Sequence, residues 1–163
     1  MRKRVVGIMG PGDGASEQEI AWGEALGRRV AKLGCVLLTG GRNVGVMESA
    51  NRGAQEVGGL TLGILPDADD RRLSQHVDIA VFTDMGNARN NINVLSCDVV
   101  IACGMGLGTA SEIVLATKAG KPVHLVTDSD SARTFFETFS SKHLTIHTTL
   151  ESVISALEKA VNS

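Results

Sequence analysis

The chain has 163 residues, of which 43% are hydrophobic and 21% are charged, and its formal net charge is -2. This is the profile of an ordinary globular protein of single-domain length, so we expect one domain over residues 1–163. The slightly acidic balance disfavours nucleic acid as the main partner, because a phosphate backbone requires a basic protein face.

The apolar pattern alternates between short continuous runs and longer segments with helical spacing, which is typical of βα units in a buried parallel sheet. A stretch of aspartates and arginines over residues 66–75 has no apolar period and is expected to form an exposed loop beside the functional site. For the first half of the chain the pattern predicts strands over 4–9, 35–39 and 60–65, a helix that follows a Ser16/Glu19 capping box, and a helix over 44–57.

The second half of the chain continues the same alternation. It predicts strands over 77–83, 98–103, 123–127 and 144–147, and helices over 86–96, 110–119 and 150–161. Connections this short place helices on both faces of a parallel sheet, because crossovers are right-handed. The expected fold is therefore α/β, a Rossmann-type doubly wound, mostly parallel sheet of about seven strands with helices on both faces.

Location is predicted from what the chain lacks. No apolar run is long enough to span a membrane, and the run over residues 5–9 is too short for the core of a signal peptide. The cysteines, which have no C-x-x-C spacing, lie in apolar runs where a thiol behaves as a small hydrophobic group. We therefore expect a cytoplasmic protein without a membrane partner, in which the buried cysteines are Cys35, Cys97 and Cys103.

Three of the predicted strands end in glycine-rich turns, over residues 10–12, 40–41 and 104–108. The carboxyl ends of parallel strands share one edge of the sheet, so these turns should line one crevice. Glycine lets the backbone approach a ligand, and the free N–H groups at the start of a following helix favour an anion such as phosphate. Tight turns alone could explain one such loop, but three together indicate a binding site.

The best-known phosphate-binding motifs are absent. After the first strand there is no G-x-G-x-x-G, and Thr39-Gly40-Gly41 stands where an acidic ribose partner should end the second strand. No glycine loop ends in Lys-Ser or Lys-Thr, as a P-loop would, and the four histidines lack zinc-ligand spacing. NAD binding, routine ATP hydrolysis and a metal site are therefore disfavoured, and we expect no required cofactor.

The segment GMGLGTASE over residues 104–112 resembles a known signature. Over nearly its whole length the chain resembles the group that joins molybdenum cofactor carrier proteins to the cytokinin-activating phosphoribohydrolases, the Lonely Guy or lysine decarboxylase-like proteins. Those hydrolases carry P-G-G-x-G-T-x-x-E, with an arginine 23 residues before the glutamate, and Arg89 and Glu112 keep that interval. The stretch GGRNVGVM over residues 40–47 is similar to the second glycine motif of the family.

Three positions depart from the hydrolase signature. Gly104 replaces the proline, Met105 replaces a glycine, and Asn90 replaces the lysine that follows the arginine. These departures resemble the carrier branch, whose members similarly show Gly-Asn-Ala-Arg-Asn, found here at residues 86–90, and a Thr-x-Ser-Glu ending. The resemblance implies a soluble binding or carrier protein for a phosphate-bearing pterin or nucleotide-like ligand, with molybdenum cofactor or molybdate as bound cargo.

The glycine loops and the resemblance together predict the ligand contacts. In a hydrolase, Arg89 would grip the phosphate and Glu112 would bind ribose hydroxyls or act on the attacking water. Alternatively, Thr109 and Glu112 form a helix capping box, a pattern that recurs at Thr148/Glu151. The predicted ligand residues are Gly10, Gly12, Gly40, Gly41, Arg89, Asn90, Gly104, Gly106, Leu107, Gly108, Thr109 and Glu112.

Function hypotheses of three classes follow. The first is a carrier that cradles its ligand without transforming it, and the second is a phosphoribohydrolase that cleaves the N-glycosidic bond of nucleoside 5'-monophosphates. A single-stranded DNA binder ranks last, because the chain has four phenylalanines and one tryptophan for base stacking and no basic stripe. The resemblance also implies a homodimer or homotetramer, with apolar helix residues such as Val114, Leu115 and Ala116 at the interface.

Overall fold

Along residues 2–162, the part of the chain that the computed structural model describes, there are seven strands and six α-helices, and a helix follows every strand except the third. The strands are β1 (Val5–Met9), β2 (Val36–Thr39), β3 (Thr61–Leu65), β4 (Ile79–Phe82), β5 (Val99–Cys103), β6 (Val123–Val126) and β7 (Leu144–His147). The helices are α1 (Glu17–Lys32), α2 (Gly45–Gln55), α3 (Arg89–Leu95), α4 (Leu107–Lys118), α5 (Asp130–Glu137) and α6 (Leu150–Asn162).

The strands form one sheet in the order β4-β3-β2-β1-β5-β6-β7, and every pairing is parallel. The first half of the chain builds outward from β1 on one side, and the second half builds outward on the other. Residues of β1 and β5 are almost all fully buried, as expected for strands covered on both faces. This architecture confirms the predicted Rossmann-type α/β fold.

Helices cover both faces of the sheet, and each face has its own apolar core. On one face α1, α2 and α6 supply fully buried side chains such as Leu26, Ala50 and Leu157. On the other face α3, α4 and α5 do so, through residues such as Ile113 and Phe136. The three cysteines are free and buried, which confirms the prediction that they belong to the core.

Several predicted helix boundaries were wrong. The helix expected over 86–96 divides into a 3-10 turn, Gly86–Ala88, and α3, and Gly86, with a φ of +53°, lies outside the α-helical region. The short helix α5 was not predicted at all; the side chain of Ser129 caps it by accepting from the Ala132 N–H. Thr148 does not cap α6, since Thr149 Oγ1 accepts the Ser152 N–H instead.

Helix α4 begins at Leu107, three residues before the predicted start, because Gly106 lies in an extended conformation with φ -157° and acts as its N-cap. The predicted Ser16/Glu19 capping box of α1 is confirmed in both of its hydrogen bonds. No helix within residues 2–162 has both the length and the apolar character that crossing a bilayer requires.

Candidate ligand-binding cleft

A cleft of about 270 Å³ opens at the carboxyl ends of β1, β2 and β5. Strand β1 has β2 on one side and β5 on the other, so the strand order reverses direction at β1. Such a switch point is where doubly wound sheets bind ligands. The walls are lined by Ile8, Met9, Gly10, Pro11, Gly12, Asp13, Gly40, Arg42, Met47, Asn87, Arg89, Asn90, Gly106, Leu107, Gly108, Thr109 and Glu112.

The predicted ligand residues meet in this cleft, with the exception of Gly41 and Gly104. Gly41 has a φ of +76°, and a Cβ there would lie 2.7 Å from a methyl carbon of Leu65, so this glycine makes the turn after β2. Gly104 has a φ of +78° and faces the carboxylate of Glu19. These two glycines therefore shape the loops that carry the cleft, without lining it.

The start of α4 forms one wall of the cleft and is open. No side chain of residues 2–162 caps this helix, and the first N–H groups of an α-helix have no partner within the helix. A Cβ at Gly106 would meet nothing closer than 3.8 Å, and one at Gly108 would meet nothing within 4 Å. Free N–H groups beside open space, at the positive end of a helix of 12 residues, favour a bound anion.

Arg89, at the start of α3, also lines the cleft and is 8% exposed. Its Nη2 donates to the carbonyl oxygen of Gly40 at 3.4 Å, and its Nη1 donates to Asn90 Oδ1. Its Nε is buried with no hydrogen-bond partner among the described residues. Burial lowers the pKa of this guanidinium, and the nearby Glu112 carboxylate opposes that effect. Arg89 is thus an incompletely paired, desolvated cation, and an anion in the cleft would complete its environment.

Glu112 lies beside Arg89 and is 6% exposed. One carboxylate oxygen, Oε1, accepts a hydrogen bond from Asn93 Nδ2 at 2.9 Å and lies 3.8 Å from Arg89 Nη1. Burial raises the pKa of Glu112 to about 7, although the Asn93 hydrogen bond and the Arg89 charge both act to lower it. Both protonation states of this group are therefore accessible near neutral pH.

The alternative interpretation of Glu112 as a capping residue was wrong. Because α4 begins at Leu107, Thr109 lies inside its first turn and cannot be the N-cap. Thr109 lines the cleft, and its buried hydroxyl has no partner among residues 2–162. Neither side chain of the supposed capping box caps α4, and both residues line the cleft.

Several residues in or beside the cleft were missed by sequence reasoning, among them Arg42 and Asn93. Arg42 lines the cleft and lies 3.4 Å from Asp13, and its position directly after Gly40-Gly41 is the signal that could have found it. Asn93 supports Glu112 from behind, and its spacing of four residues from Arg89 places both on one face of α3. This shared helix face is the signal that could have found Asn93.

One carboxylate connects two loops of the cleft. Glu19 Oε2 accepts the Ser16 N–H at 2.8 Å, after β1, while its Oε1 accepts the Met105 N–H at 3.1 Å, after β5. Gly104 permits this approach, because a Cβ there would collide with the same carboxylate. Glu19, the glutamate of the α1 capping box, therefore also holds the loop that leads into α4.

Fold and cleft together define a class: Rossmann-type α/β proteins with a cleft at the switch point of the sheet and with neither a dinucleotide fingerprint nor a P-loop. The sequence profile of the SLOG cluster4 family matches residues 3–154. The chain belongs to that family.

Known proteins similar to this chain confirm the resemblance to the carriers. The molybdenum cofactor binding protein of the phototrophic bacterium Rippkaea orientalis is 49% identical, with 99% of each chain covered and a TM-score of 0.95. The molybdenum cofactor carrier protein of Chlamydomonas reinhardtii is 41% identical, with 99% of this chain and 100% of that chain covered and a TM-score of 0.92. An uncharacterized protein of Archaeoglobus fulgidus is 42% identical over 123 residues, or 76% of this chain and 80% of its own length.

Proposed function

We propose that the protein is a cytoplasmic carrier that binds molybdenum cofactor as cargo and holds its phosphate, or a free oxyanion such as molybdate, in the cleft. One observation carries this proposal: Arg89 and Thr109 line the cleft beside the uncapped start of α4, and each holds a buried donor, Nε and Oγ1 respectively, that has no partner among the described residues. Unpaired buried donors are costly, and an anion would satisfy them. The similarity to two molybdenum cofactor binding proteins supports the choice of cargo.

The cleft has both polar and apolar walls. Its walls combine polar groups at the start of α4 with apolar side chains, among them Met9 and Met47. A phosphate held by Arg89 and the α4 N–H groups would leave the rest of the ligand against the loops after β1 and β2. Binding in this arrangement requires no covalent step.

A phosphoribohydrolase is the second candidate, and the pairing of Arg89 with Glu112 is the observation that favours it. A carboxyl whose pKa is about 7 is suited to general acid or base work near neutrality. The departures from the hydrolase signature at Asn90, Gly104 and Met105 weigh against this candidate.

The test separates carrying from cleavage. The purified protein is incubated with molybdenum cofactor released from a molybdoenzyme, repurified by gel filtration, and assayed for the fluorescent oxidised pterin. We expect wild type and Arg71→Ala, which alters an exposed arginine outside the cleft, to retain the cofactor, and Arg89→Ala to lose it. Release of adenine and ribose 5-phosphate from AMP, abolished by Glu112→Ala, would overturn the carrier proposal.

We further propose that the chain assembles as a homodimer or homotetramer. Leu95 of α3 and Val114 of α4 are 51% and 46% exposed, and these two helices pack against each other. The predicted interface needs one correction: Ala116 is fully buried against the sheet and Leu115 is half-buried, so only Val114 of that trio presents an open apolar surface.

A further inference from the structure

The charged side chains that line the cleft form two pairs of opposite sign. Arg42 lies 3.4 Å from Asp13, and Arg89 lies 3.8 Å from Glu112. With both carboxyl groups ionised, these four side chains contribute no net charge. An entering anion would then be attracted chiefly by the N–H groups of α4, while the buried carboxylate of Glu112, on the same helix, repelled it.

The two carboxyl groups differ greatly in their exposure. The side chain of Asp13 is 82% exposed, so water and salt screen its charge. The side chain of Glu112 is 8% exposed, so its charge acts across a low-dielectric environment. Glu112 is therefore the carboxyl group whose ionisation opposes an anion, and it also competes with that anion for Arg89.

We propose that Glu112 is the proton switch of the cleft: the anion binds to the form in which Glu112 is a neutral carboxylic acid, so loading takes up one proton and unloading releases it. The proton enters from solvent and stays on the Glu112 carboxyl group. The neutral acid leaves the charge of Arg89 to the anion, and its O–H becomes a further donor. This inference rests on the proposed function and adds a regulation of the same site.

The surroundings of Glu112 allow it to switch near neutral pH. The charged or titratable groups of the described chain that interact with it are Arg89, from α3, and the thiol of Cys97, behind α3. Burial raises the pKa of that thiol to about 12, so it stays neutral. Asn93 adds an uncharged hydrogen-bond donor. The charge of Arg42 in turn acts to lower the pKa of Arg89. Burial outweighs these influences and brings the pKa of Glu112 to about 7, and an anion nearby would raise it further.

Sulfate is the probe of choice, because it stays a dianion across the neutral range and adds no titration of its own. Binding is measured by titration calorimetry from about pH 6 to about pH 8.5, at constant ionic strength, in two buffers with different heats of ionisation. For wild type we expect an affinity that is nearly constant at the acid end and falls by up to about tenfold per pH unit at the alkaline end, with uptake of one proton there.

Two variants identify the titrating group. Glu112→Gln mimics the neutral acid, so we expect sulfate binding without pH dependence, at an affinity near that of wild type at acid pH. Asp13→Asn removes the exposed carboxylate of the other pair and should keep the wild-type pH dependence. In case Glu112→Gln fails to fold, carbon NMR of the wild-type Glu112 carboxyl group supplies the second measurement, with a midpoint near 7 that rises when sulfate is added.

The results that would overturn the inference are distinct from those that would overturn the binding site. A wild-type affinity that does not change with pH, with no proton uptake, contradicts the switch and leaves the anion cleft standing. A pH dependence that persists in Glu112→Gln assigns the proton to another group and also contradicts the switch. Absence of sulfate binding at every pH, in wild type and Glu112→Gln alike, overturns the anion cleft itself.

Discussion

The guanidinium of Arg89 lies directly over Gly40: its Nη2 donates to the Gly40 carbonyl oxygen at 3.4 Å, and a Cβ at position 40 would lie 2.6 Å from that same nitrogen. Gly40→Ala should therefore displace the guanidinium and weaken sulfate binding by about tenfold, since charge-assisted hydrogen bonds depend on geometry. The melting temperature should also fall, because Met47 Sδ would lie 2.8 Å from the added carbon.

A double-mutant cycle tests whether Gly40 acts through Arg89. If it does, Gly40→Ala should weaken binding in the wild-type background and have no further effect in Arg89→Ala. Calorimetric dissociation constants for the four proteins give the coupling directly. Independent, additive losses would contradict the proposed role of Gly40.

Removal of the Thr109 hydroxyl should affect the stability of the fold and the binding of an anion differently. Thr109 lines the cleft, and its buried hydroxyl lacks a partner among the described residues, so Thr109→Val should leave the free energy of unfolding unchanged or raise it slightly. The same change should weaken anion binding by about tenfold, because a hydrogen bond to a charged group is lost.

Thr117 provides the matched control on the same helix. Its hydroxyl is also buried without a partner in residues 2–162, but it lies outside the cleft. Thr117→Val should have the same effect on stability, measured by urea unfolding, and none on sulfate affinity. Equal losses of affinity in the two variants would rule out a specific contact at Thr109.

Two histidines on neighbouring strands should make stability depend on pH. His124 Nδ1 lies 3.1 Å from His147 Nε2, and His147 Nδ1 lies 2.6 Å from Ser152 Oγ. Burial lowers the pKa of both rings, that of His124 from 6.5 to about 4. The unfolded chain therefore takes up protons first as the pH falls, so stability is complete above about pH 6.5 and decreases towards about pH 4.

The expected loss is about 1–2 kcal/mol, after allowance for screening of this partly exposed pair. Urea unfolding between these pH values measures it. His124→Gln should reduce the slope, whereas His143→Gln, whose ring takes no part in the pair, should leave it unchanged. An identical slope in His124→Gln would contradict the assignment.

The exposed face of α4 should control assembly. Val114→Glu places a charge on the open apolar surface and should shift the protein towards the monomer, as measured by light scattering after gel filtration. Val57→Glu is the matched control, because Val57 is also exposed, at 38%, but follows α2 on the other face of the sheet. A wild-type protein that is monomeric at high concentration would contradict the proposed assembly.

The number of strands and their positions along the chain could be predicted because each is a short apolar run bounded by polar or glycine-rich turns, and β7 was predicted at its observed bounds. Helix α5 was missed because it has only eight residues and two buried side chains, too few for a clear apolar period. The start of α4 was misplaced because Gly106 caps it through backbone conformation alone, which leaves no side-chain signal.

The positions of the glycine loops followed from the parallel topology, but the environment of the cleft did not follow from the sequence. A pattern of threonine and glutamate three residues apart suits both a capping box and a ligand site, and only the observed start of α4 decides between them for Thr109 and Glu112. Burial of Glu112 depends on packing between α3 and α4, which joins residues distant in the chain. Local sequence patterns do not predict contacts between residues that are distant in the chain.

Glu19 has a mechanical consequence. Because one carboxylate holds both Ser16, after β1, and Met105, after β5, Glu19 joins two loops at the cleft. The loop after β2 is joined to the loop after β1 as well, since Arg42 pairs with Asp13 and the Val46 N–H donates to the carbonyl oxygen of Pro11. A cargo too wide for the cleft would therefore have to break at least one of these contacts to enter.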